Sequence, residues 1–363
     1  MKANPMRPAS ETELSEMIRA ATGPLTVQGG GTRRIGAVQV AALETAGLSG
    51  VTLYEPGALT LVARAGTPLA EVEALLATER QRLAFEVPDL RAVLGRDGQS
   101  TLGGVVAANA SGPRRVQVGA CRDSLLGLRF VDGTGEVVKN GGRVMKNVTG
   151  YDLVKLMAGS RGTLGVLTEV SLRVQAMPEA ELTLRAPCGL DQGLAALREA
   201  LKSPFDISGA GYADGAALLR LEGMAGSVAY RAAQLKSRLG GDWQEISGPG
   251  SAAVWASLRD VSGFAGREGS IWRLVVKPTE AARIAGDLGA TVIDWGGGLV
   301  WALTPGGQAE TLRASLGRDG HATLVRASAG DTPADHLAPE PAAVAALSRA
   351  LRARFDPRQI FVA

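Results

Sequence analysis

The chain has 363 residues, enough for two domains, and its Lys and Arg (39) barely outnumber its Asp and Glu (36), so the net charge is only +3. The charges are spread along the chain without a basic, aromatic-rich run, which argues against nucleic-acid binding. Two cysteines, Cys121 and Cys188, are too few for a disulfide framework or a four-thiolate iron–sulfur cluster, and no apolar run is long enough to span a bilayer.

The N-terminal part of the sequence predicts a helix, a strand and a glycine loop. Met1–Ala9 lacks the apolar segment of a secretory signal, so we expect a cytoplasmic protein. Ser10–Glu13 is a capping-box pattern that predicts a helix to about Ala21. Leu25–Val27 is predicted as a buried strand that leads into Gly29-Gly30-Gly31-Thr32. This loop is neither a Rossmann fingerprint nor a P-loop, because the third glycine and the Lys-Ser pair are missing.

The stretch Thr101–Gly112 is the most unusual in the chain, because nearly all its side chains are small and none is charged. It follows a predicted strand, Leu59–Arg64, and a predicted helix, Leu69–Thr78. Small residues let backbone amides approach a ligand closely, so the stretch predicts a nest for an anion such as pyrophosphate. The alternative is a Gly/Ala packing seam between a strand and a helix.

A third glycine loop follows within the same part of the chain. Leu125–Val131 and Glu136–Lys139 predict a hairpin across an Asp-Gly turn. Tyr151–Ala158 is predicted as a short helix that leads into the loop Gly159–Gly165, and Val166–Val174 is predicted as a strand that completes the sheet.

From about Ala176 the composition changes to Ala- and Arg-rich helices interleaved with strands such as Ile271–Val276 and Leu299–Leu303. This alternation predicts an α+β domain placed over the first one. All five tryptophans fall in this part, where core packing is the ordinary explanation. We expect Trp295 to face a cleft or a partner, because the glycines that follow it leave room.

Four motifs carry a family resemblance: Gly103–Arg115, Arg122–Gly127, Lys146–Leu153 and Gly162–Thr168. Together they resemble the flavin-binding core of the vanillyl-alcohol oxidase/PCMH superfamily. Within that superfamily the chain resembles the family of E subunits of bacterial glycolate oxidase, which are FAD-binding partners of a larger catalytic flavoprotein. The resemblance runs almost end to end and is densest over residues 95–175.

The resemblance implies an α+β fold, with a two-subdomain PCMH-type FAD-binding domain followed by an α+β cap domain. The implied boundaries are 1–175 for the FAD-binding domain (subdomains about 1–90 and 91–175) and 176–363 for the cap. It implies non-covalent FAD, because some relatives carry a flavin-linked histidine in the loop where this chain has Thr32. The residues implied to bind FAD are Gly29, Gly30, Gly31, Thr32, Thr101, Leu102, Gly103, Gly104, Ala107, Asn109, Ala110, Ser111, Gly112, Arg115, Gly162, Gly165 and Val166.

The resemblance also implies partners. These are a larger homologous flavoprotein subunit and an iron–sulfur subunit, with glycolate, a small 2-hydroxy acid, as the substrate bound in this chain or in the larger subunit. Contact with the inner membrane is implied only through that complex.

Oxidation of a 2-hydroxy acid needs a cation for the carboxylate and a base for the hydroxyl proton. Arg259, Arg273 and Arg326 lie in or beside cap segments, and each is either a carboxylate ligand or a structural guanidinium. His321 and His336 lack metal-ligand spacing, so no metal site is predicted. A full flavin site beside a sparse substrate site favours a subunit that passes electrons within a complex. A stand-alone FAD-dependent 2-hydroxy-acid dehydrogenase and a non-catalytic flavin-fold scaffold are the alternatives.

Overall fold

The computed structural model describes residues 6–34, 40–144, 150–317, 320–332 and 336–362, so Lys146–Thr149 of the third motif lie outside the described residues. The strands are β1 (Leu25–Gln28), β2 (Ala41–Glu44), β3 (Val51–Glu55), β4 (Thr60–Arg64), β5 (Gln81–Leu83), β6 (Leu125–Val131), β7 (Val137–Gly141), β8 (Val166–Ala176), β9 (Ala180–Pro187), β10 (Gly209–Ala213), β11 (Ala216–Gly223), β12 (Gln244–Ser247), β13 (Ser270–Val275), β14 (Ala290–Asp294), β15 (Leu299–Thr304), β16 (His321–Arg326) and β17 (Phe361–Val362).

The helices are α1 (Glu11–Ala20), α2 (Leu69–Thr78), α3 (Arg91–Leu94), α4 (Leu102–Ala107), α5 (Arg115–Val118), α6 (Leu153–Met157), α7 (Leu190–Leu201), α8 (Ala225–Leu239), α9 (Pro249–Asp260), α10 (Ala281–Gly286), α11 (Ala309–Leu316) and α12 (Ala342–Phe355). Within the described ranges, none of them combines the length and the apolar character needed to cross a lipid bilayer.

The predicted elements of the N-terminal part are confirmed, with one local difference. At the start of α1, the Ser10 hydroxyl accepts a hydrogen bond from the Glu13 amide at 3.1 Å, as the capping pattern requires. Helix α2 has the predicted bounds and buries Leu69, Val72 and Leu76. Leu59 was expected in the strand but precedes it, because it ends a short 3₁₀ turn with a left-handed φ of 50°.

The first domain is built on two sheets. In the larger one, β3, β4, β8, β6 and β7 lie side by side in that order, and β5 pairs with the end of β8. The predicted β6–β7 hairpin is confirmed, and the Asp132 carboxylate stabilises its turn by accepting the amides of Thr134 and Glu136 at 2.9 and 3.0 Å. Helices α2 and α4 pack on this sheet and enclose an apolar core.

The smaller sheet brings the two ends of the chain together. Strand β1 pairs in parallel with β2 on one side and β17 on the other, so that Leu25 lies opposite both Ala41 and Phe361. The last described strand therefore returns to the first domain, and strands from both sides of residue 90 share the larger sheet. The implied boundaries near residues 90 and 175 stay predictions. The sheets do not follow them, because β17 joins the sheet of β1 and β2, and the larger sheet contains strands from both sides of residue 90.

The cap is an antiparallel sheet of eight strands, in the order β12, β9, β11, β10, β14, β15, β13 and β16. Helices α7, α8, α10 and α11 pack on it and contribute Leu197, Leu235, Ile284 and Leu312 to its core. Largely antiparallel sheets with helices packed on them define an α+β fold, so the predicted fold class is confirmed.

Buried ion pairs join the cap to the first domain. Glu222 on β11 accepts hydrogen bonds from Arg114 at 2.8 and 3.0 Å and from Arg82 at 2.6 Å. Arg220, also on β11, donates to both carboxylate oxygens of Glu86 at 2.7 and 2.8 Å. Burial alone would raise the pKa of Glu222, but Arg114, Arg220 and Arg82 outweigh it and lower the pKa to about 2. Burial would also raise the pKa of Glu86, but Arg220 and Arg114 outweigh it and lower that pKa, so both carboxylates remain charged within the interface.

Removing one charge from this network should destabilise the protein strongly. We expect Glu222→Gln to lower the free energy of unfolding by about 3 to 5 kcal/mol, because Arg114 would be left buried without its counter-ion. The matched control is Glu199→Gln, which removes an exposed ion pair with Arg238 and should change stability little. Denaturant unfolding of both variants measures the difference, and equal effects would contradict it.

The same network predicts a pH dependence. The folded-state pKa of Glu222 is depressed from 4.5 to about 2, so its contribution is present above pH 4.5 and is lost as the pH falls toward 2. The difference in unfolding free energy between the wild type and Glu222→Gln should therefore narrow across this window. A difference that stays constant from pH 7 to pH 2.5 would contradict the assignment.

Candidate functional site

A cavity with about 1110 Å³ of empty space, part of it open to solvent, lies where the three glycine-bearing segments of the first domain meet. It brings together many of the residues that the sequence predicted for the cofactor. These are Gly29, Gly30, Gly31, Thr32, Thr101, Gly103, Gly104, Ala107, Gly162 and Gly165.

The first segment, Gly29–Thr32, follows β1 and runs close against the chain at Gln99–Thr101. A Cβ at Gly30 would overlap the carbonyl oxygen of Gln99, and Gly31 has a φ of 70°, so neither position accommodates a larger side chain without a shift. Within the described part of the chain, the amides of Gly30, Gly31 and Thr32 donate to no other residue. Amides left free beside a cavity suit an anionic ligand group such as a pyrophosphate.

The second segment forms α4, and here the structure differs from the expected nest. The amides of Leu102 and Gly103 donate to the carbonyls of Thr67 and Ala65 at 2.9 and 2.7 Å, and that of Gly104 donates to the Thr101 hydroxyl at 3.3 Å. These amides are already satisfied, because the small residues let the start of α4 pack against the chain between β4 and α2. The segment therefore supplies a wall of small side chains to the cavity.

The third segment is fastened to the second. The amides of Gly159 and Arg161 donate to the carbonyls of Val106 and Ala107 at 3.1 and 2.9 Å. A Cβ at Gly162 would lie 2.8 Å from that of Val27 on β1, so a glycine is needed where this segment passes the first strand. The three segments thus form one continuous wall.

Other predicted cofactor residues lie outside the cavity lining. Leu102 and Val166 are fully buried in apolar cores, and Ala110 packs against the core of the larger sheet. The Asn109 side-chain oxygen accepts the Arg122 amide at 3.0 Å, and the Ser111 hydroxyl accepts the Cys121 amide at 2.9 Å. These contacts order the chain after α4, and a direct role of these residues in FAD binding stays a prediction.

Gly112 and Arg115 also lie outside the lining, at the contact with the cap. The Gly112 carbonyl accepts a hydrogen bond from the indole nitrogen of Trp295 at 3.1 Å. The Arg115 guanidinium lies 4.5 Å from the centre of the Trp295 ring, within the range of a cation–π contact. Trp295, which was expected to face a cleft or a partner, instead contacts the first domain of the same chain.

Several cavity residues were not predicted from the sequence. Arg33, Arg34 and Arg161 are the charged ones, and the others are Thr26, Val27, Gln28, Thr45, Ala65, Ala108, Leu167 and Val362. Arg33 and Arg34 directly follow the first glycine loop, and Arg161 lies inside the third. Their positions beside or inside the glycine loops could have identified these three arginines as cavity residues from the sequence.

Arg33 and Arg34 retain hydrogen-bonding capacity beside the cavity. Arg33 donates to the Pro88 carbonyl at 2.8 Å and Arg34 to the Gln28 side chain at 2.8 Å, yet the buried Nε atom of each has no partner among the described residues. Burial lowers the pKa of Arg33 to about 10, so it stays charged at neutral pH. Glycine walls, free amides and two guanidiniums fit a large polar anion such as FAD.

The three cap arginines predicted to bind a carboxylate have different surroundings. Arg259 forms two hydrogen bonds of 2.7 and 2.8 Å with Asp260, and Arg326 donates to backbone carbonyls that include that of Val93 at 2.9 Å. Arg273 has no carboxylate partner among the described residues, and its guanidinium lies 5.2 Å from the centre of the Trp295 ring. Only Arg273 therefore has a guanidinium available for a ligand.

The histidines do not form a metal centre in the described residues, where no group of three metal-ligating side chains occurs. His336 contacts the Leu324 carbonyl through Nδ1 at 2.8 Å. His321 is partly exposed, and its partial burial, with the nearby charges of Arg273 and Arg161, lowers its pKa. It is thus mainly neutral at pH 7.

Comparison with known proteins decides the family. A family model described as an FAD binding domain matches residues 5–141. The chain is 39% identical over 314 residues to glycolate oxidase subunit GlcE of Escherichia coli (strain K12). The aligned region covers 86% of this chain and 83% of that protein. The chain belongs to the glycolate oxidase subunit GlcE family. It is an FAD-dependent oxidoreductase, and FAD is its cofactor.

Two further matches bear on the subunit and on the fold. Glycolate oxidase subunit GlcD of Bacillus subtilis (strain 168) is 41% identical over 87 residues, 24% of this chain and 18% of that protein. A solved alkyldihydroxyacetonephosphate synthase matches with a TM-score of 0.69 at 16% identity, covering 98% of this chain and 74% of that one. This structural match extends over both domains and speaks for the fold alone.

The cavity predicts a variant that loses FAD but keeps the fold. A Cβ at Gly104 would meet only the Thr101 hydroxyl, at 3.1 Å, so Gly104→Val should extend into the cavity and reduce bound FAD at least about tenfold. Gly165 is less informative, because a Cβ there would lie 2.8 Å from the Phe130 ring and disturb the core.

The matched control is Gly226→Val at the exposed start of α8, where a Cβ would have no neighbour within 4 Å. Flavin absorbance per purified chain measures FAD content, and the temperature of unfolding checks the fold. Full FAD content in Gly104→Val would rule out this cavity as the flavin site.

Proposed function

We propose that this chain is the FAD-binding subunit of a glycolate oxidase that assembles with a larger homologous flavoprotein subunit and an iron–sulfur subunit. The observation that carries the proposal is the match to GlcE over most of both chains, combined with a cavity whose walls suit FAD. The local match to GlcD supports a larger partner with a related flavin-binding core.

The division of labour is argued from the residues around the cavity. FAD, when bound, supplies the capacity to accept and release electrons. The chain contributes free amides at Gly30–Thr32 and the guanidiniums of Arg33 and Arg34, which would hold the anionic part of the cofactor. Among the described residues, no three metal-ligating side chains lie together, and His321, the histidine near Arg273, is partly exposed. We therefore propose that glycolate is oxidised in the larger subunit and that this chain relays electrons.

A stand-alone 2-hydroxy-acid dehydrogenase is the second candidate, and one observation favours it. Arg273 lies at the contact between the domains without a carboxylate partner among the described residues, as a substrate-binding arginine would. Under that function the isolated chain would need no partner to oxidise glycolate.

Anaerobic glycolate reduction of the assembled complex separates these functions. We expect glycolate to reduce the iron–sulfur subunit when the complex contains the wild-type chain or Gly226→Val. With Gly104→Val, glycolate should still bleach the flavin of the larger subunit, but reduction of the iron–sulfur subunit should fall at least about tenfold, because the relaying flavin is missing.

The isolated chain provides the complementary measurement. Its flavin spectrum should persist when glycolate is added anaerobically without partners. Bleaching by the isolated chain would favour the stand-alone dehydrogenase. Equal iron–sulfur reduction by the Gly104→Val and wild-type complexes would favour a non-catalytic scaffold.

A further inference from the structure

Three guanidiniums gather where the cap faces the first domain. Arg115 on α5 and Arg273 on β13 both lie over the ring of Trp295, at 4.5 and 5.2 Å from its centre, so their guanidinium carbons are within about 10 Å of each other. Arg161, in the third glycine segment, is exposed and lines the flavin cavity. Its charge, like that of Arg115, opposes protonation of Arg273.

This cluster has no counter-charge in the part of the chain that the structure describes. No hydrogen bond or ion pair joins Arg115, Arg161 or Arg273 to a carboxylate there. Asp294 is close to Arg273, but no hydrogen bond or ion pair joins them among the described residues; its carboxyl instead accepts the Trp295 amide at 2.7 Å, and burial raises its pKa. Asp123, beside Arg115, has its own ion pair of 3.8 Å with Arg122.

The contrast with the other interdomain arginines is informative. Arg114 and Arg220 are each paired with a buried carboxylate at the neighbouring contact. Burial and repulsion from Arg115 and Arg161 lower the pKa of Arg273 to about 10, yet it remains a cation at neutral pH. Like charges held together without a counter-ion are costly, and a bound anion would offset that cost.

We propose that Arg115, Arg161 and Arg273 form a binding site for a small dicarboxylate at the edge of the flavin cavity. A dicarboxylate carries two negative charges that can pair with different guanidiniums. Because Arg115 and Arg273 stack on Trp295 without converging on one point, two separated carboxylates suit them better than a single one. A phosphate also carries about two negative charges, but they lie on one group and cannot reach separated guanidiniums equally well. The proposal rests on the proposed function only for the flavin beside the site, and its ligand is distinct from glycolate.

Trp295 is the positioning residue of this site. Its backbone has a left-handed φ of 54°, its amide donates to the Asp294 carboxyl at 2.7 Å, and its indole nitrogen donates to the Gly112 carbonyl at 3.1 Å. The hydrogen bond of the indole nitrogen anchors the ring, and the backbone hydrogen bond orders the residue, so Arg115 and Arg273 have a fixed surface on which to stack. The site therefore exists only when the two domains are seated together.

Calorimetric titration of the FAD-loaded full chain tests the proposal, at constant ionic strength because screening alters charged contacts. The probes are malonate, acetate and phosphate. We expect malonate to bind at least about tenfold more tightly than acetate or phosphate. Arg273→Gln and Arg161→Gln should each weaken malonate binding about tenfold or more, whereas Arg238→Gln, which removes the same charge from exposed α8, should not.

Trp295 variants test its positioning role. Trp295→Ala should weaken malonate binding as Arg273→Gln does, and Trp295→Phe should restore most of it, because a phenyl ring still supports the stacked guanidiniums. The temperature of unfolding checks each variant's fold, and FAD content checks that the cavity lined by Arg161 still holds the flavin. Equal affinities for malonate and acetate, tighter binding of phosphate, or unchanged binding in both arginine variants would overturn the site. Malonate binding to the isolated chain and electron transfer in the assembled complex are separate measurements. A failure of electron transfer would contradict the proposed function but not the dicarboxylate site.

Discussion

The buried ion pairs of Glu86 and Glu222 set the geometry on which the rest of the molecule depends. Their arginine partners come from both domains, so the network forms only when β11 of the cap meets the chain around Arg82 and Arg114. Removing one partner of such a buried pair costs several kcal/mol. The ion pairs are also directional, whereas apolar contacts alone would let the cap shift along the first domain. The network thereby fixes where Trp295 meets Gly112, and hence where the cap arginines lie relative to the flavin cavity.

The cavity itself depends on small residues. Thr101 to Ala107 pack closely because glycines at 103 and 104 remove side chains, and the third segment then hydrogen-bonds to the end of α4. Close packing consumes the amides of α4 but leaves those of Gly30 to Thr32 free within the described residues. One glycine segment thus builds the wall while another presents donors, a division that suits a long ligand with an anionic centre.

The sequence was sufficient for features that are local. Helix α2 follows from its apolar spacing, and the glycine segments stand out because close approach requires small residues wherever they fold. The roles of arginines could not be separated in this way, since Arg259, Arg273 and Arg326 differ only in their partners across space. Asp260, next to Arg259, was a local signal for one of them. The contacts of Arg326 with Val93 and of Arg273 with Trp295 exist only after the domains meet.

Amide hydrogen exchange of the chain with and without FAD tests the central claim, that the cofactor lies on the glycine segments and on the free amides of Gly30–Thr32. FAD should slow exchange most in peptides that cover residues 28–34, with smaller effects at 101–108 and 159–165. The exposed helix α12 (Ala342–Phe355) should be unchanged and serves as the internal reference. Protection confined to the cap, with none at 28–34, would contradict this assignment of the flavin site.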